Sequence, residues 1–171
     1  MKKFFIIIFV LILIAGLIYF FYDNGSYTFT AEVDGIPLEG LSSFAEYSGG
    51  MLSIFTILND SGQKGIIIFV KASETGNYLL NSETGSVDGQ GNYGQYHYGD
   101  EGNRIIFLSN GQYAGKCKIT ALDLSNKKVS GTFEFEAIES IHTPTGYAYS
   151  TRVVRITNGK FKNVPIKYLA E

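Results

Sequence analysis

Two hydrophobic patterns divide the chain. Residues 4–22, FFIIIFVLILIAGLIYFFY, form one apolar run that no charge interrupts. From residue 27 onward the apolar runs are short, β-branched or aromatic, and separated by Gly, Asn and Asp, which is how strands and turns read. Tyr27, Phe29, Ala31 and Val33 alternate with Thr28, Thr30, Glu32 and Asp34, predicting a half-buried strand that ends at Asp34-Gly35. Residues 51–58 and 65–71 are apolar on both faces and flank Asn59-Asp60-Ser61-Gly62, as central strands of a hairpin would. Short strands are expected at 76–80, 93–98 and 104–108.

Residues 113–124 and 128–138 flank a turn at Ser125-Asn126-Lys127. In the second arm Val129, Gly131, Phe133, Phe135 and Ala137 share one face, and Ser130, Thr132, Glu134 and Glu136 the other. Residues 151–157 and 160–167 are joined through Asn158-Gly159, a strong tight-turn signal. The expectation is an all-β domain: an antiparallel β-sandwich or partly closed barrel of about nine to ten strands. A meander with one wet face fits the alternation. Residues 81–103 and 139–150 depart from it and read as long connections, the places where function would sit on a rigid sheet.

The run 4–22 predicts one N-terminal transmembrane helix. Nineteen residues at about 1.5 Å each nearly match a hydrocarbon core of roughly 30 Å. Tyr19 and Tyr22 suit the far interface, and after Lys2 and Lys3 no Lys or Arg appears before Lys64. The positive-inside rule then places the N-terminus in the cytoplasm and the β-domain in the periplasm or outside the cell. A cleaved signal peptide is the rival; it would carry a shorter apolar region and end in small residues. Ile14-Ala15-Gly16 is like the start of a lipoprotein cleavage box, but Leu17 stands where the lipidated cysteine would be. Residues 1–22 therefore read as anchor, 23–26 as linker and 27–171 as a single β-domain.

Charge narrows the function classes. The whole chain carries −2, and without Lys2 and Lys3 the remainder has 12 basic and 16 acidic residues, or −4. No cationic block is present to neutralise phosphates, so nucleic acid is not an expected partner. The single cysteine, Cys117, cannot form an intrachain disulfide; between Lys116 and Lys118 it alternates onto the face of Ile119 and reads as a small buried hydrophobe.

Candidate chemistry is sparse. Glu134 and Glu136 share a strand face opposite Phe133 and Phe135, which suits a solvated face better than an acid/base pair. His97 and His142 are the only histidines, and neither belongs to a cluster with zinc spacing. Asp88 to Asn92 is like the start of an oxygen-rich calcium loop, but Tyr93 and Gly99 stand where the EF-hand needs Gly and Glu. No nucleophile elbow, Walker loop or dinucleotide fingerprint occurs. No catalytic residue, metal or cofactor is assigned. The recognition candidates are Tyr93, Tyr96, His97, Tyr98, His142, Tyr147 and Tyr149, because tyrosine offers contact area with a polar tip. The competing reading of these rings is structural cover.

Four stretches, EVDGIPLE (32–39), GNYLL (76–80), ITALDLSNKKVSGTFEFEA (119–137) and ITNGKFKNVPI (156–166), together resemble a family of small uncharacterised bacterial cell-envelope proteins, often lipoproteins. The resemblance covers most of residues 27–166 and is most specific from Leu122 to Phe135. It implies an extracytoplasmic β-domain in a Gram-negative bacterium and brings no activity or functional residue. The chain departs from that pattern in having a membrane helix in place of the lipidated cysteine, and Leu38 where an aromatic is common. The expected function is a membrane-anchored, non-catalytic envelope β-domain. Its partners are the lipid bilayer through residues 4–22 and an envelope protein, peptide or glycan. The alternatives are a calycin-type barrel holding a small apolar ligand and an enzyme of unknown class.

The anchor reading predicts that the chain stays in the membrane fraction after a carbonate wash, at full-length mass. Recovery of a soluble form lacking the first twenty-odd residues would replace the anchor by a cleaved signal.

Overall fold

The computed structural model describes residues 27–58, 63–81, 91–100, 102–143 and 146–168. These form eleven strands: β1 (Thr28–Val33), β2 (Ile36–Glu39), β3 (Ser42–Ser48), β4 (Met51–Ile57), β5 (Lys64–Lys71), β6 (Gly76–Leu80), β7 (Tyr93–Tyr98), β8 (Ile105–Leu108), β9 (Gly115–Asp123), β10 (Lys128–Thr143) and β11 (Gly146–Tyr168). No described residue is helical, and no described helix is long and apolar enough to cross a membrane. The predicted anchor at 4–22 lies outside the described residues.

The strands make one continuous sheet in the order β2-β1-β11-β3-β4-β5-β7-β8-β10-β9-β6, and a further ladder between β10 and β11 bends part of it into a ring. The ring comprises β11, β3, β4, β5, β7, β8 and β10. β1 with β2, and β9 with β6, extend from it as wings. The two longest strands hold this together by changing partners along their length. β10 pairs with β9 over Lys128–Phe135 and with β8 over Ile138–Ser140. β11 pairs with β1 between Ile156 and Lys162, then with β3 over Ile166–Tyr168. The β3–β11 pairing is parallel, so the expected all-antiparallel meander is corrected there.

Alternation decides the core. Val129, Gly131, Phe133, Phe135 and Ala137 of β10 all face inward, as their spacing predicts. They meet Phe29 and Ala31 from β1, Cys117 and Ile119 from β9, and Ile156, Phe161 and Val164 from β11. Phe29 and Phe133 lie 5.2 Å apart between ring centroids, and Phe161 is 6.3 Å from Phe133. Three of these rings cross a glycine on the neighbouring strand: Phe133 opposite Gly159, Phe161 opposite Gly131, and Phe135 opposite Gly115. A Cβ on Gly131 would come within 2.3 Å of the Lys118 carbonyl and 2.5 Å of the Phe161 ring. The missing side chains are what let the rings lie flat on the sheet.

Two turns behave as the sequence predicts. Asp34 and Gly35 take positive φ (51° and 78°) in the hairpin between β1 and β2. In the β9–β10 turn the Asp123 carboxylate accepts from the Ser125 hydroxyl at 2.6 Å and from the Asn126 side chain and backbone, which holds its carboxyl down to about 2.

Three expectations are corrected. Asn158-Gly159 is not a turn: β11 runs straight through it. Only Asn158 has positive φ (52°), where a two-residue hairpin turn of type I′ needs two such residues. Residues 157 and 158 together oppose Glu134, between the pairs Phe133–Gly159 and Phe135–Ile156, so the signal marks a β-bulge. Second, 139–150 is not a long connection. It belongs to β10 and β11, which pair through Ser140–Tyr149, Ile141–Ala148, His142–Tyr147 and Thr143–Gly146. Third, the second face is not wet everywhere. Glu134 is exposed on the wing, but the outer face of the ring carries a half-buried aromatic row in which Phe44 stacks on Phe55 at 4.9 Å and Phe69 on Tyr93 at 4.4 Å.

Truncating Phe161 to Ala should cost about 3–5 kcal/mol, by loss of burial and a cavity. Gly131→Ala should cost about 1–3 kcal/mol by overpacking, whereas Glu134→Gln should stay within about 0.5 kcal/mol. Urea unfolding of the three variants checks all of them.

Candidate functional site

The seven sequence-derived recognition residues do not converge. β7 supplies four of them and its alternation splits them. Tyr93 and His97 point to the outer face of the ring, whereas Tyr96 and Tyr98 turn inward against Phe107, with ring centroids 6.0 Å away in each case. Tyr93 is buried against Phe69, and Tyr96 is buried in the core. Burial, together with the neighbouring Tyr98, raises the Tyr96 hydroxyl above its ordinary range. These two rings are structural cover. His142 and Tyr147 face each other in register near the end of β10 and β11, and Tyr149 stands opposite Ser140.

Beyond the last pair with β8, Ser140 with Ile106, the described residues of β10 and β11 pair only with each other. They form a two-stranded ribbon reaching past the ring. Ile141 and Tyr149 are 47 % and 43 % exposed on it. The base of the ribbon is fixed by residues that the sequence reading did not single out. Between the pairs Ile138–Val153 and Ser140–Tyr149, Glu139 opposes three residues of β11. Its mostly buried carboxylate accepts from the Ser150 hydroxyl at 2.7 Å and pairs with the Arg152 guanidinium at 3.2 Å. Arg152 also donates to the Tyr98 hydroxyl, and its guanidinium lies 5.7 Å from the centroid of the Phe107 ring. The Tyr98 hydroxyl and the Glu139 charge keep Arg152 fully cationic. Sequence reasoning missed this group because 139–150 read as a loop. The signal was present: Ile138, Ile141 and Thr143 are β-branched, and the Tyr-Ala-Tyr of 147–149 has strand character.

Glu134 and Glu136, the paired carboxylates, occupy the outer face of β10. Each holds a cross-strand cation: Lys116 at 3.0 Å and Arg155 at 2.6 Å. Beside them lies an open depression of about 460 Å³ whose rim includes Leu79, Lys116, Glu134, Glu136 and Arg155. Its charges face one another, which is the arrangement of a solvated strand face.

Among the described residues two buried polar atoms have no hydrogen-bond partner, His97 Nδ1 and Ser140 Oγ. They flank Ile106 on the outer face, since His97 and Ser140 are the two register partners of that residue. Burial, and then the charge of Arg104, lowers the His97 imidazole below its ordinary value of 6.5. Cys117 is fully buried, and burial pushes its thiol up to about 12, so no thiolate is presented for chemistry. Among the described residues no group of three His, Cys, Asp or Glu is placed to hold a metal ion. Residues 88–90, the start of the calcium-like stretch, lie outside the described residues.

Residues 25–165 match a family described as "Domain of unknown function (DUF6252)", and the chain belongs to it. No curated protein and no solved structure is significantly similar to the chain.

The depressed His97 pKa sets a pH dependence. Below the ordinary imidazole value the unfolded chain takes up a proton that the folded chain resists, so stability is full above about pH 7 and declines as pH falls through about 6.5. His97→Gln should flatten that decline relative to the parent chain in thermal melts taken across pH 5 to 8.

Proposed function

We propose that this member of a family without an assigned activity is a membrane-anchored, extracytoplasmic β-domain that binds rather than catalyses. Its partner is a protein, peptide or glycan of a bacterial cell envelope, and the ribbon at the end of β10 and β11 is the binding element. The observation that carries this reading is the ribbon itself. It extends beyond every flanking strand and holds large apolar side chains in solvent, at Ile141 and Tyr149. A strand pair that served only the fold would end where its neighbours end. An extended edge with exposed apolar side chains is an aggregation liability unless it has a use. The Glu139–Ser150–Arg152 group stiffens the ribbon's base, which lowers the ordering cost of binding.

The anchor comes from residues 4–22 and from the charge asymmetry of Lys2 and Lys3, as argued from the sequence. The calycin-type alternative gains no support from the interior. Phe135 of β10 reaches past the end of β8 to β7, where a Cβ on Gly94 would meet its Cδ1 at 2.7 Å, so side chains fill this part of the interior. The enzyme alternative gains none from the glutamates, which are spent on Lys116 and Arg155.

The test replaces Ile141 and Tyr149 by Ser together and compares the variant with the parent after purification from membranes in mild detergent with cross-linking. The expected outcome is a change in stability of within about 0.5 kcal/mol and loss of whatever cross-links to the parent. Full capture by the stably folded variant would move the binding site away from the ribbon.

A further inference from the structure

We infer that the end of the domain at which the chain enters β1 rests on the phospholipid bilayer, with Tyr27, Leu41 and Ile57 in the headgroup–acyl boundary. This rests on the anchor reading of residues 4–22 and adds an orientation to it. Three of the exposed large apolar side chains gather at this end: Tyr27 (39 %), Leu41 (54 %) and Ile57 (39 %). The backbone brings them together. Gly40 donates to the Phe29 carbonyl at 2.8 Å, so Leu41 comes level with Thr28, one residue from Tyr27. The Leu41 amide then donates to the Ile57 carbonyl at 2.8 Å.

Chain length argues for the bilayer as the occupant. Residues 23–26 are all that separates the apolar run from Tyr27 and Thr28, and four residues span at most about 14 Å even when extended. An anchored chain therefore holds this end at the membrane surface whatever the rest of the domain does. Apolar side chains held there gain by entering the boundary layer, and tyrosine is suited to that depth. The flanks are cationic: Lys162 pairs in register with Thr28, and the Lys64 carbonyl accepts from Leu58 beside Ile57. Lysines at the rim of an apolar patch favour anionic headgroups. The patch is also continuous with the aromatic row, because Ile57 shares the outer face of β4 with Phe55, which stacks on Phe44, and Lys167 sits 4.7 Å above the Phe44 ring.

The chain contains no tryptophan, so one introduced indole is a clean reporter. The full-length variants Leu41→Trp and Ile57→Trp are reconstituted in vesicles of phosphatidylcholine and phosphatidylglycerol whose acyl chains are brominated near the headgroup. Leu79→Trp, on the far edge strand β6, is the control. The expected result is that all three variants float with the vesicles, and that emission is blue-shifted and quenched by bromine at 41 and 57 but not at 79. Floating protein with silent reporters at 41 and 57, or with equal quenching at all three sites, would overturn the orientation while leaving the anchor in place. Protein that fails to float would overturn the anchor reading and the orientation with it. Reporters at two separate positions keep the result readable if one substitution disturbs the fold.

Discussion

The fold depends on phenylalanine rings laid over glycines. Phe133, Phe135 and Phe161 each cover a glycine on the adjoining strand, and Phe135 also presses on Gly94 of β7, past the end of β8. Without a Cβ beneath it, a ring lies flat and close on the neighbouring backbone, in space that a side chain there would fill. The arrangement fixes register as well as distance. A slip of one residue along β10 would set Glu134 and Glu136 over the core and put the rings in solvent. That penalty far exceeds the differences among backbone pairings, so the pattern that buries the rings also selects the ladder.

Once that register is set, β10 and β11 have to serve a ring and two wings at once, which a straight strand cannot do. Irregular positions supply the bend. Asn158 and Asn163 hold positive φ (52° and 53°), and each lies where two residues of β11 oppose one of β10. At the second of these the Asn163 amide donates to the Ser130 hydroxyl at 2.9 Å, so the donor freed by the bulge is satisfied. Asparagine tolerates the left-handed region better than most residues, which makes it the residue to expect at such bends. A third shift, at Glu139, is wider, and a carboxylate in place of backbone pairing holds it together.

Much of this was legible in the sequence, because period-two alternation is a direct consequence of the pleat. The inward face of β10, the burial of Cys117 beside Ile119, the Asp34-Gly35 hairpin and the 125–127 turn all follow from it. What stayed hidden has a common physical origin. Asn-Gly at 158–159 carries the same conformational preference in a turn and in a bulge, and only the register of a strand distant in sequence decides between them. Pro144 and Gly146 interrupt the sequence pattern, and that interruption does not reveal that the strands on either side pair with each other as far as Thr143–Gly146. Composition groups the tyrosines of 93–98 into one cluster, whereas period two sends Tyr93 and Tyr96 to opposite faces, each as structural cover. The Glu139–Arg152–Tyr98 contact joins residues of three strands, and no local pattern could have assembled it.

The same long strands give the molecule a direction. From Lys162, the partner of Thr28, β11 runs back to Tyr149 on the ribbon over roughly 40 Å if it were straight. The positions that meet the start of β1 and those that form the ribbon are thus well separated along β11, while around the ring Lys64 pairs with Tyr98, which touches the ribbon's base. The core of Phe–Gly contacts lies between the two ends, so rigidity there carries over to the ribbon's position. The proposed binding role asks for this geometry rather than for a reactive group; the glutamates of β10 are paired to cations and the Cys117 thiol is buried.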